Sequence, residues 1–301
     1  MILLPFADLA AITRKNEPMA RHTSFRVGGP VAYFIEPRTW DEFRAVYPRS
    51  QDAGLPIRVL GRGSNILVTD GPHPWVVVST RRLHEIHREG NLISAGAGVS
   101  LPKLVAMAES CGLGGLEPLA GIPGSVGGAV AMNSGGRHGC VADRFVGGMV
   151  VAPGHMPRWA EHGEMEFEYR YSIVPKTHLL LLSATFQLDS AAPRGLQAQR
   201  RTILAEKRAT QPMKDRSAGC VFKNPPNLSA GRLIDQAGLK GTRAGGAAVS
   251  HKHANFIVNT DGNATAANVL QLIDIVVQRV RDKFQVTLEL ELEIWDDQER
   301  N

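Results

Sequence analysis

A short glycine loop lies between two apolar runs in the N-terminal third of the chain. The loop reads Gly61-Arg62-Gly63-Ser64-Asn65 and leads directly into Ile66. Glycines let backbone N–H groups approach a phosphate, and Ser64 and Asn65 add side-chain donors. The loop has neither the Rossmann Gly-x-Gly-x-x-Gly spacing nor the Lys-Ser/Thr ending of a P-loop. It indicates a phosphate-binding turn, and a tight hairpin that binds nothing is the alternative.

A second glycine loop is denser. Four glycines fall within nine residues, in the order Gly121-Ile122-Pro123-Gly124-Ser125-Val126-Gly127-Gly128-Ala129. Each glycine costs backbone entropy on folding, so this density favours a backbone that passes close to a flat or phosphorylated ligand. The surrounding stretch 114–139 has no helical periodicity, and long loops of this kind in compact domains are usually functional. The pair of loops favours a bound dinucleotide over a series of tight turns without a ligand.

Local patterns predict the elements that position the first loop and the start of the second. Thr39 and Glu42 form a capping box that opens a helix, and Pro48 is expected to kink or end it. Strands are expected at 57–60, 66–68 and 75–78, with a turn at 88–91. Ser100 and Gly112 bound a second helix. Its apolar face comprises Leu101, Leu104, Val105 and Ala108.

The C-terminal half carries clearer periodicity. We expect a strand at 179–186 and a polar linker helix at 193–209. Thr265 caps a helix with one apolar stripe. The stripe comprises Val269, Leu272, Ile273, Val276, Val277 and Val280. The run 286–294 alternates strictly between apolar and polar residues, which predicts a strand with one buried face and with Glu289, Glu291 and Glu293 on the other.

Composition bounds the class of protein. The 301 residues are 43% hydrophobic and 21% charged, which is an ordinary globular balance. The net charge of +5 suits anionic ligands, but without a Lys/Arg block it does not indicate nucleic-acid binding. Three cysteines without a Cys-x-x-Cys pair indicate a reducing compartment and no metal site.

The sequence favours a cytoplasmic location. The apolar N-terminal segment 1–8 is short and has no basic leader, so we do not interpret it as a signal peptide. No apolar run reaches the length that spans a membrane, so no membrane association is expected.

Several blocks together resemble the UDP-N-acetylenolpyruvoylglucosamine reductase (UDP-N-acetylmuramate dehydrogenase) family. The similarity extends from His22 to Glu291, and the blocks occur in the family's order. They are His22-Thr23-Ser24-Phe25, the glycine-loop segments 61–68 and 115–128, Tyr169-Arg170-Tyr171-Ser172, the segments 217–225 and 253–259, and Leu288-Glu289-Leu290-Glu291-Leu292.

The resemblance implies a fold and two nucleotide ligands. The fold is α+β, a vanillyl-alcohol-oxidase (PCMH)-type FAD-binding fold of two lobes plus a C-terminal α/β substrate-binding domain. The expected boundaries are 1–72 and 73–195 for the two lobes, 196–284 for the substrate domain and 285–301 for a C-terminal strand returning to the site. FAD is expected to bind non-covalently, with NADPH as co-substrate. The implied cofactor contacts are Gly61, Arg62, Gly63, Ser64, Asn65, Ile66, Gly124, Ser125, Gly127, Gly128 and Ala129.

Three positions match the family's catalytic residues. Arg170 matches the arginine that pairs with the substrate carboxylate, a task suited to a planar, permanently charged guanidinium. Cys220 matches the proton donor, which is serine in many members; a thiol with an ordinary pKa of about 8.5 is protonated at neutral pH and is the stronger acid. Glu291 matches a glutamate that orients or protonates the intermediate. Taken alone, these would be a surface arginine, a small buried hydrophobe and a solvated acidic face.

Further positions match substrate contacts. Asn224 matches a substrate-binding asparagine, and Lys207, Arg208 and Gln211 match positions near the substrate diphosphate. Basic residues at a helix end also complement the helix dipole without any ligand.

The chain departs from the family's usual pattern after Asn133, where Ser134-Gly135-Gly136-Arg137-His138 replaces a Gly-Ala-Tyr-Gly run. The short segment after Ser172 resembles the subgroup that lacks an extra tyrosine-bearing loop, and the His253-Ala254-Asn255 run belongs to that subgroup's pattern.

The resemblance implies reduction of the enolpyruvyl group of a UDP-sugar in peptidoglycan precursor synthesis. Two other functions remain open at this point. One is an FAD-dependent oxidase of the same fold, and the other is a nucleotide-binding protein without activity. The competent residue types at Arg170, Cys220 and Glu291 favour the reductase. A monomer is compatible with the sequence.

Overall fold

The computed structural model describes residues 5–177 and 179–297, so the first four residues of the predicted N-terminal segment lie outside the described residues. The described chain divides into two compact units that interleave along the sequence. Unit 1 contains 5–15, 32–62 and 74–206, and unit 2 contains 16–31, 63–73 and 207–297. The chain therefore passes from unit 1 to unit 2 inside the first glycine loop, between Arg62 and Gly63.

Helices and strands alternate through both units. The α-helices are α1 (Trp40–Asp52), α2 (Leu101–Ser110), α3 (Val126–Ala131), α4 (Pro193–Thr210), α5 (Ala230–Gln236) and α6 (Ala266–Phe284). The strands are β1 (Thr13–Pro18), β2 (Pro30–Ile35), β3 (Ile57–Leu60), β4 (Ile66–Val68), β5 (His73–Ser79), β6 (Ile86–Glu89), β7 (Leu92–Gly96), β8 (Leu113–Gly114), β9 (Gly135–Gly136), β10 (Gly139–Cys140), β11 (Phe145–Val151), β12 (Arg158–Glu161), β13 (Leu180–Gln187), β14 (Asp189–Ser190), β15 (Arg243–Ala244), β16 (Ala247–Val249), β17 (Ile257–Asn259) and β18 (Glu293–Trp295). Short 3-10 helices lie at Ala7–Ile12, Met19–Arg21, Thr80–Arg82, Glu117–Leu119, Val141–Asp143 and His162–Met165.

Unit 1 contains two main sheets. The first has the strand order β1-β2-β5-β3, with β3 parallel to β5, and the chain leaves and re-enters unit 1 within β1 and β2. The second has the order β12-β11-β13-β7-β6 and is antiparallel throughout. The strands predicted at 57–60, 75–78 and 179–186 and the turn before Leu92 are thus confirmed. Each sheet has its own buried apolar cluster, and the apolar face of α2 belongs to the cluster that includes β7, β11 and β13.

The first helix confirms its predicted start and corrects its predicted end. Thr39 Oγ1 accepts from the Glu42 N–H at 3.2 Å, and Glu42 Oε2 accepts from the Thr39 N–H at 3.3 Å. Pro48 is expected to kink or end the helix, and the expected end is wrong, because α1 continues to Asp52. Pro48 and Arg44 are both exposed, so the Arg44 carbonyl that loses its helical N–H partner can be hydrated.

The second helix forms as predicted, whereas the glycine-rich stretch contains a helix that periodicity does not reveal. In α2 the buried residues include Leu101, Leu104, Val105 and Ala108, as expected. The expectation that 114–139 lacks helix is wrong, since α3 lies within it. A Ser125 cap and two buried valines, Val126 and Val130, mark α3. Its other residues include Gly127, Gly128 and Ala129, which are too small to produce an apolar period.

Unit 2 is built on a three-stranded antiparallel sheet and a long helix. The sheet has the order β15-β16-β17, and α6 contributes its predicted stripe to the core. Thr265 caps α6 as predicted, with Thr265 Oγ1 accepting from the Asn268 N–H at 3.2 Å. Asp70 is a second cap that the sequence pattern misses: its two carboxylate oxygens accept from Ala266 and Ala267 N–H at 2.8 and 2.9 Å.

The alternating run near the C-terminus is less regular than predicted. Its burial alternates as expected, since Leu288 and Leu292 are buried while Glu289 and Glu293 are exposed. The prediction of one continuous strand over 286–294 is wrong. Only β18 forms, parallel to β4, and an isolated antiparallel bridge joins Leu290 to Phe222. The segment changes partner between these points, which interrupts its hydrogen-bond ladder.

No helix among the described residues is long and apolar enough to cross a membrane.

Candidate active site

The first glycine loop joins two different sheets. Strand β3 precedes it and belongs to the four-stranded sheet of unit 1, whereas β4 follows it and pairs with β18 in unit 2. The alternative of a tight hairpin is therefore wrong, because β3 and β4 are not paired with each other. The loop instead makes contacts on both sides of the unit boundary, within each unit.

Within unit 1, the first loop meets the second one. A Cβ atom on Gly61 would lie 2.2 Å from the Oγ of Ser125, so a larger residue at position 61 would collide with the cap of α3. The Ser125 hydroxyl is buried and accepts from the Gly128 N–H at 3.3 Å. Glycine at position 61 thus allows the two loops to touch.

Within unit 2, Gly63 packs against the His22 block. Its φ of +66° is a left-handed conformation, and a Cβ there would lie 2.1 Å from the His22 carbonyl oxygen. The Ser24 N–H donates to the Gly63 carbonyl at 2.9 Å. The buried His22 is held in turn by Glu17, at 2.8 Å between Nε2 and Oε1. The His22 block therefore holds the backbone of the first loop at Gly63.

The second loop is fixed by backbone hydrogen bonds to the segment before α2. Val126 N–H donates to the Val99 carbonyl at 2.9 Å, and Gly127 N–H donates to the Ala97 carbonyl at 2.8 Å. A Cβ on Gly127 would lie 2.9 Å from that of Ala97, so glycine is needed for this approach. Gly128, in contrast, is exposed.

The residues of the two loops fit an FAD pyrophosphate. Gly61 and Ser125 converge, Gly124 takes a φ of +135° that favours glycine, and Gly128 leaves backbone exposed. Small residues and polar backbone groups at one place are what close approach to a pyrophosphate requires. Two of the predicted FAD contacts differ in exposure. Arg62 is exposed, so its side chain can reach a ligand, whereas Ala129 is buried.

Asn65 and Ile66 hold the C-terminal segment. The Asn65 side-chain amide donates to the Glu291 carbonyl at 3.0 Å, and the Asn65 carbonyl accepts from the Glu293 N–H at 3.1 Å. Ile66 is buried and lies opposite Glu293 in the β4–β18 pair. The end of the first loop therefore positions the backbone around Glu291.

The structure brings the Cys220 and Glu291 segments together in unit 2. The Glu291 N–H donates to the carbonyl of Val221, the residue after Cys220, at 2.8 Å. Further along, Lys223 N–H donates to the Glu289 carbonyl at 2.8 Å. We call the paired segments 220–223 and 289–293 the site ribbon. Cys220 is half-buried, and the neighbouring Val221 anchors the ribbon in the core.

Arg170 lies in a tight turn of unit 1. Glu168 and Tyr171 exchange backbone hydrogen bonds at 3.1 and 3.2 Å, and Arg170 between them has a φ of +57°. Its Nη2 donates to the Gly135 carbonyl at 3.0 Å, and its guanidinium carbon lies 5.1 Å from the Tyr169 ring centroid. A left-handed non-glycine residue costs about 1 kcal/mol or more and is typical of functional sites.

Asn133, at the start of the departure from the family pattern, holds this turn. Its Nδ2 donates to the Glu168 carbonyl at 2.9 Å and its Oδ1 accepts from the Ala142 N–H at 3.0 Å. The Gly135–Cys140 segment that follows forms the β9–β10 hairpin, and Arg137 at its tip pairs with Glu206 of α4. The arginine side chain lowers the pKa of the Glu206 carboxyl by hydrogen bonding.

The predicted substrate contacts lie at the end of α4 and before α5. Lys207 and Arg208 are in the last turn of α4, and the Gln211 N–H donates to the Lys207 carbonyl at 2.8 Å. Asn224 is exposed, and its Oδ1 accepts from the Ala230 N–H at 3.0 Å, so one of its functions is to fix the start of α5.

Sequence reasoning named the His253–Asn255 run only as a subgroup pattern, yet the structure gives it a role. The buried Asn255 binds both backbone groups of Phe222. His253 Nδ1 accepts from the Asn255 N–H at 3.2 Å, which requires that nitrogen to be unprotonated. Burial, and secondarily the charge of Lys240, lower the pKa of His253 below its ordinary 6.5. The described residues contain no cluster of acidic, histidine or cysteine side chains suited to a metal ion.

Comparison with known proteins identifies both parts of the chain. Residues 31–155, a range that contains both glycine loops, match the model of an FAD binding domain. Residues 211–295, a range that contains the site ribbon, match the model of the C-terminal domain of UDP-N-acetylenolpyruvoylglucosamine reductase. The predicted α+β flavin-binding fold with a separate C-terminal domain is thus confirmed.

Relatives match over nearly the whole chain. A UDP-N-acetylenolpyruvoylglucosamine reductase of Moorella thermoacetica is 43% identical, covering 93% of this chain and 92% of the relative. One of Geobacter metallireducens is 40% identical, covering 96% and 95%. The crystal structure of the reductase from Thermus caldophilus aligns with a TM-score of 0.81 at 38% identity, covering 93% of this chain and 98% of that one. The chain belongs to the UDP-N-acetylenolpyruvoylglucosamine reductase family.

Proposed function

We propose that the protein reduces UDP-N-acetylglucosamine enolpyruvate to UDP-N-acetylmuramate with NADPH, through FAD, in peptidoglycan precursor synthesis. One observation carries the proposal beyond family membership: the Glu291 N–H donates to the Val221 carbonyl at 2.8 Å. Two of the three predicted catalytic residues therefore lie on paired segments of one unit, although 70 intervening residues separate them in sequence.

The two glycine loops would hold FAD, which, once reduced by NADPH, would supply a hydride for the methylene carbon of the enolpyruvyl group. The hydride addition leaves electron density on the neighbouring carbon and the carboxylate as an enolate. The Cys220 thiol gives its proton to that carbon, so one hydride and one proton are added across the double bond. Glu291 assists this proton delivery, and a proton from water restores the thiol.

Arg170 binds the substrate carboxylate. Its guanidinium offers two parallel donors to a carboxylate, and the interaction strengthens as charge builds up in the enolate. The turn that holds Arg170 in a left-handed conformation fixes its backbone before substrate arrives. This fixed position lowers the entropy cost of binding in the reactive geometry.

The remaining site residues bind the UDP-sugar. Lys207, Arg208 and Gln211 supply cationic and amide donors for the diphosphate, and the exposed Asn224 contacts the sugar nucleotide. We propose a cytoplasmic enzyme without nucleic-acid or membrane partners, with the domain boundaries 1–72, 73–195, 196–284 and 285–301.

Stopped-flow flavin spectroscopy tests the proposal. The purified protein is expected to be yellow, to lose this colour on anaerobic mixing with NADPH, and to regain it only when the enolpyruvyl UDP-sugar is added. Flavin reoxidised mainly by oxygen would identify an oxidase instead. A protein that cannot take up FAD would indicate a binding protein without this chemistry.

The proton donor is tested separately. Cys220→Ala should leave reduction by NADPH nearly unchanged and slow reoxidation by the UDP-sugar severely, while Cys220→Ser should retain much of the activity because a hydroxyl serves this role in many family members. Equal losses in both half-reactions would assign Cys220 a structural role.

A further inference from the structure

A single buried asparagine bounds the site ribbon on the side away from Glu291. Asn255 is 3% exposed. Its Oδ1 accepts from the Phe222 N–H at 3.0 Å, and its Nδ2 donates to the Phe222 carbonyl at 2.8 Å. A carboxamide that binds both backbone groups of one residue reproduces the pairing of a neighbouring antiparallel strand.

The backbone of Asn255 adds a third bond, directly next to Cys220. Its carbonyl accepts from the Val221 N–H at 2.9 Å. That N–H belongs to the peptide group whose carbonyl is Cys220's own, so Asn255 fixes the plane of the peptide that follows the thiol-bearing residue. The Val221 carbonyl on the opposite side accepts from Glu291 and Leu292 N–H at 2.8 and 3.2 Å.

We propose that Asn255 is a positioning residue for proton transfer from Cys220, an inference that rests on the proposed function. The three bonds from Asn255 and the bonds from 289–292 hold the 220–223 segment from both sides. Rotation of the Cys220–Val221 peptide would break the bond to Asn255, so the backbone that carries the thiol stays in place relative to the 289–292 backbone. Displacement of a reacting group by about 1 Å can cost on the order of 100-fold in rate.

The inference predicts a selective effect on one half-reaction. Asn255→Ala removes both side-chain bonds and leaves buried backbone groups of Phe222 without their partner. In the holoenzyme, the rate constant for flavin reoxidation at saturating UDP-sugar should fall by about 10-fold or more, by displacement of the donor. Reduction by NADPH should change less than about 2-fold, because that step does not use Cys220.

The chain offers a matched control in Asn259. It is 2% exposed, lies in the same unit, and also binds two backbone groups, donating to the Phe25 carbonyl at 3.0 Å and accepting from the Ala264 N–H at 3.1 Å. Asn259→Ala should lower the urea midpoint by an amount similar to Asn255→Ala, yet leave the ratio of the two half-reaction rates unchanged. If both variants slow reoxidation alike, Asn255 acts only through stability and the proposal is wrong.

A second variant keeps the test decisive if Asn255→Ala does not fold. In Asn255→Asp, the protonated carboxyl can both accept from the Phe222 N–H and donate to its carbonyl, whereas the ionised form can only accept. Reoxidation by this variant should therefore recover as the pH is lowered, relative to wild type at the same pH. A pH profile that parallels wild type would overturn the proposal. Wild-type flavin that the UDP-sugar fails to reoxidise would instead reject the proposed function, independently of Asn255.

Discussion

The side-chain amide of Asn65 donates a hydrogen bond to the backbone carbonyl of Glu291, at 3.0 Å. The bond joins the end of a glycine loop to a segment more than two hundred residues later, and the Asn65 carbonyl accepts from Glu293 N–H two residues beyond. The site ribbon therefore has an asparagine on each side, Asn65 next to 289–293 and Asn255 next to 220–223. The loop predicted to bind FAD thus also positions a predicted catalytic segment.

The variant Asn65→Asp tests the hydrogen bond from the Asn65 side chain to the Glu291 carbonyl. The change is nearly isosteric but replaces the donor by a carboxylate oxygen that faces the Glu291 carbonyl. Loss of a partly buried hydrogen bond costs about 1–3 kcal/mol when a polar group is left without its partner. We expect a lower urea midpoint with an unchanged m-value, and slower flavin reoxidation by the UDP-sugar. Asn227→Asp, at an exposed position of the same unit, adds the same charge and should change neither quantity. Full retention of stability in Asn65→Asp would show that the bond contributes nothing.

Local signals in the sequence were sufficient for the elements that have a cap or an apolar stripe. The capping box of Thr39 and Glu42 and the stripe of α6 involve residues within a few positions of each other, so the pattern contains the whole interaction. The sequence does not reveal helix α3, because its glycines and alanines carry no periodic signal. The run 286–294 was predicted as one strand because alternation reports burial, not the identity of the partner strand, and this segment changes its partner.

The sequence also predicted only part of the candidate site, namely the residues that match a motif. Motif similarity selected Cys220, Glu291 and Arg170, and the side-chain chemistry supplied a reason for each. The residues that hold them could not be selected in this way, because Asn65, Asn133 and Asn255 act on backbone groups far along the chain. An asparagine in a glycine loop has the same sequence signature whether it binds a phosphate or a distant carbonyl. Only the fold distinguishes the two functions.

The contact between the glycine loops predicts a non-additive pair of substitutions. Gly61→Ala should lower stability and weaken FAD binding, since its Cβ would lie 2.2 Å from Ser125 Oγ. Ser125→Ala removes the oxygen but also the cap of α3, which costs about 1 kcal/mol. In the double variant the Cβ atoms of positions 61 and 125 would lie 3.4 Å apart, which is an ordinary contact, so the collision is relieved. A double-mutant cycle should give a favourable coupling energy, measured from urea unfolding and from FAD titration. Simple additivity would contradict the contact.

The left-handed conformation of Arg170 predicts a separation of stability from activity. Arg170→Ala and Arg170→Gly both remove the guanidinium, so both should lose substrate reduction to the same degree. They should differ in stability, with the glycine variant about 1 kcal/mol more stable, because an L side chain is strained at a φ of +57°. Arg26 provides the control, since it has a φ of +60° and is not a predicted site residue. Its alanine and glycine variants should show the same stability difference with normal activity. Equal stability of the two Arg170 variants would mean that the turn relaxes.

The hydrogen bond from the Asn255 N–H to His253 predicts how stability depends on pH. Burial lowers the pKa of His253 in the folded state below its ordinary 6.5, so the unfolded chain takes up the proton first as the pH falls. The stabilising contribution is therefore fully present above pH 6.5 and is lost progressively below it, until the folded-state pKa is reached. His253→Asn keeps an acceptor for the Asn255 N–H but removes the titration. Between pH 7.5 and 5.5 the urea midpoint should fall more in wild type than in His253→Asn, while His155→Asn, at an exposed histidine, should behave like wild type. If the histidine and asparagine proteins lose stability equally over this range, proton uptake at position 253 does not contribute, and the tautomer assigned from the hydrogen bond is wrong.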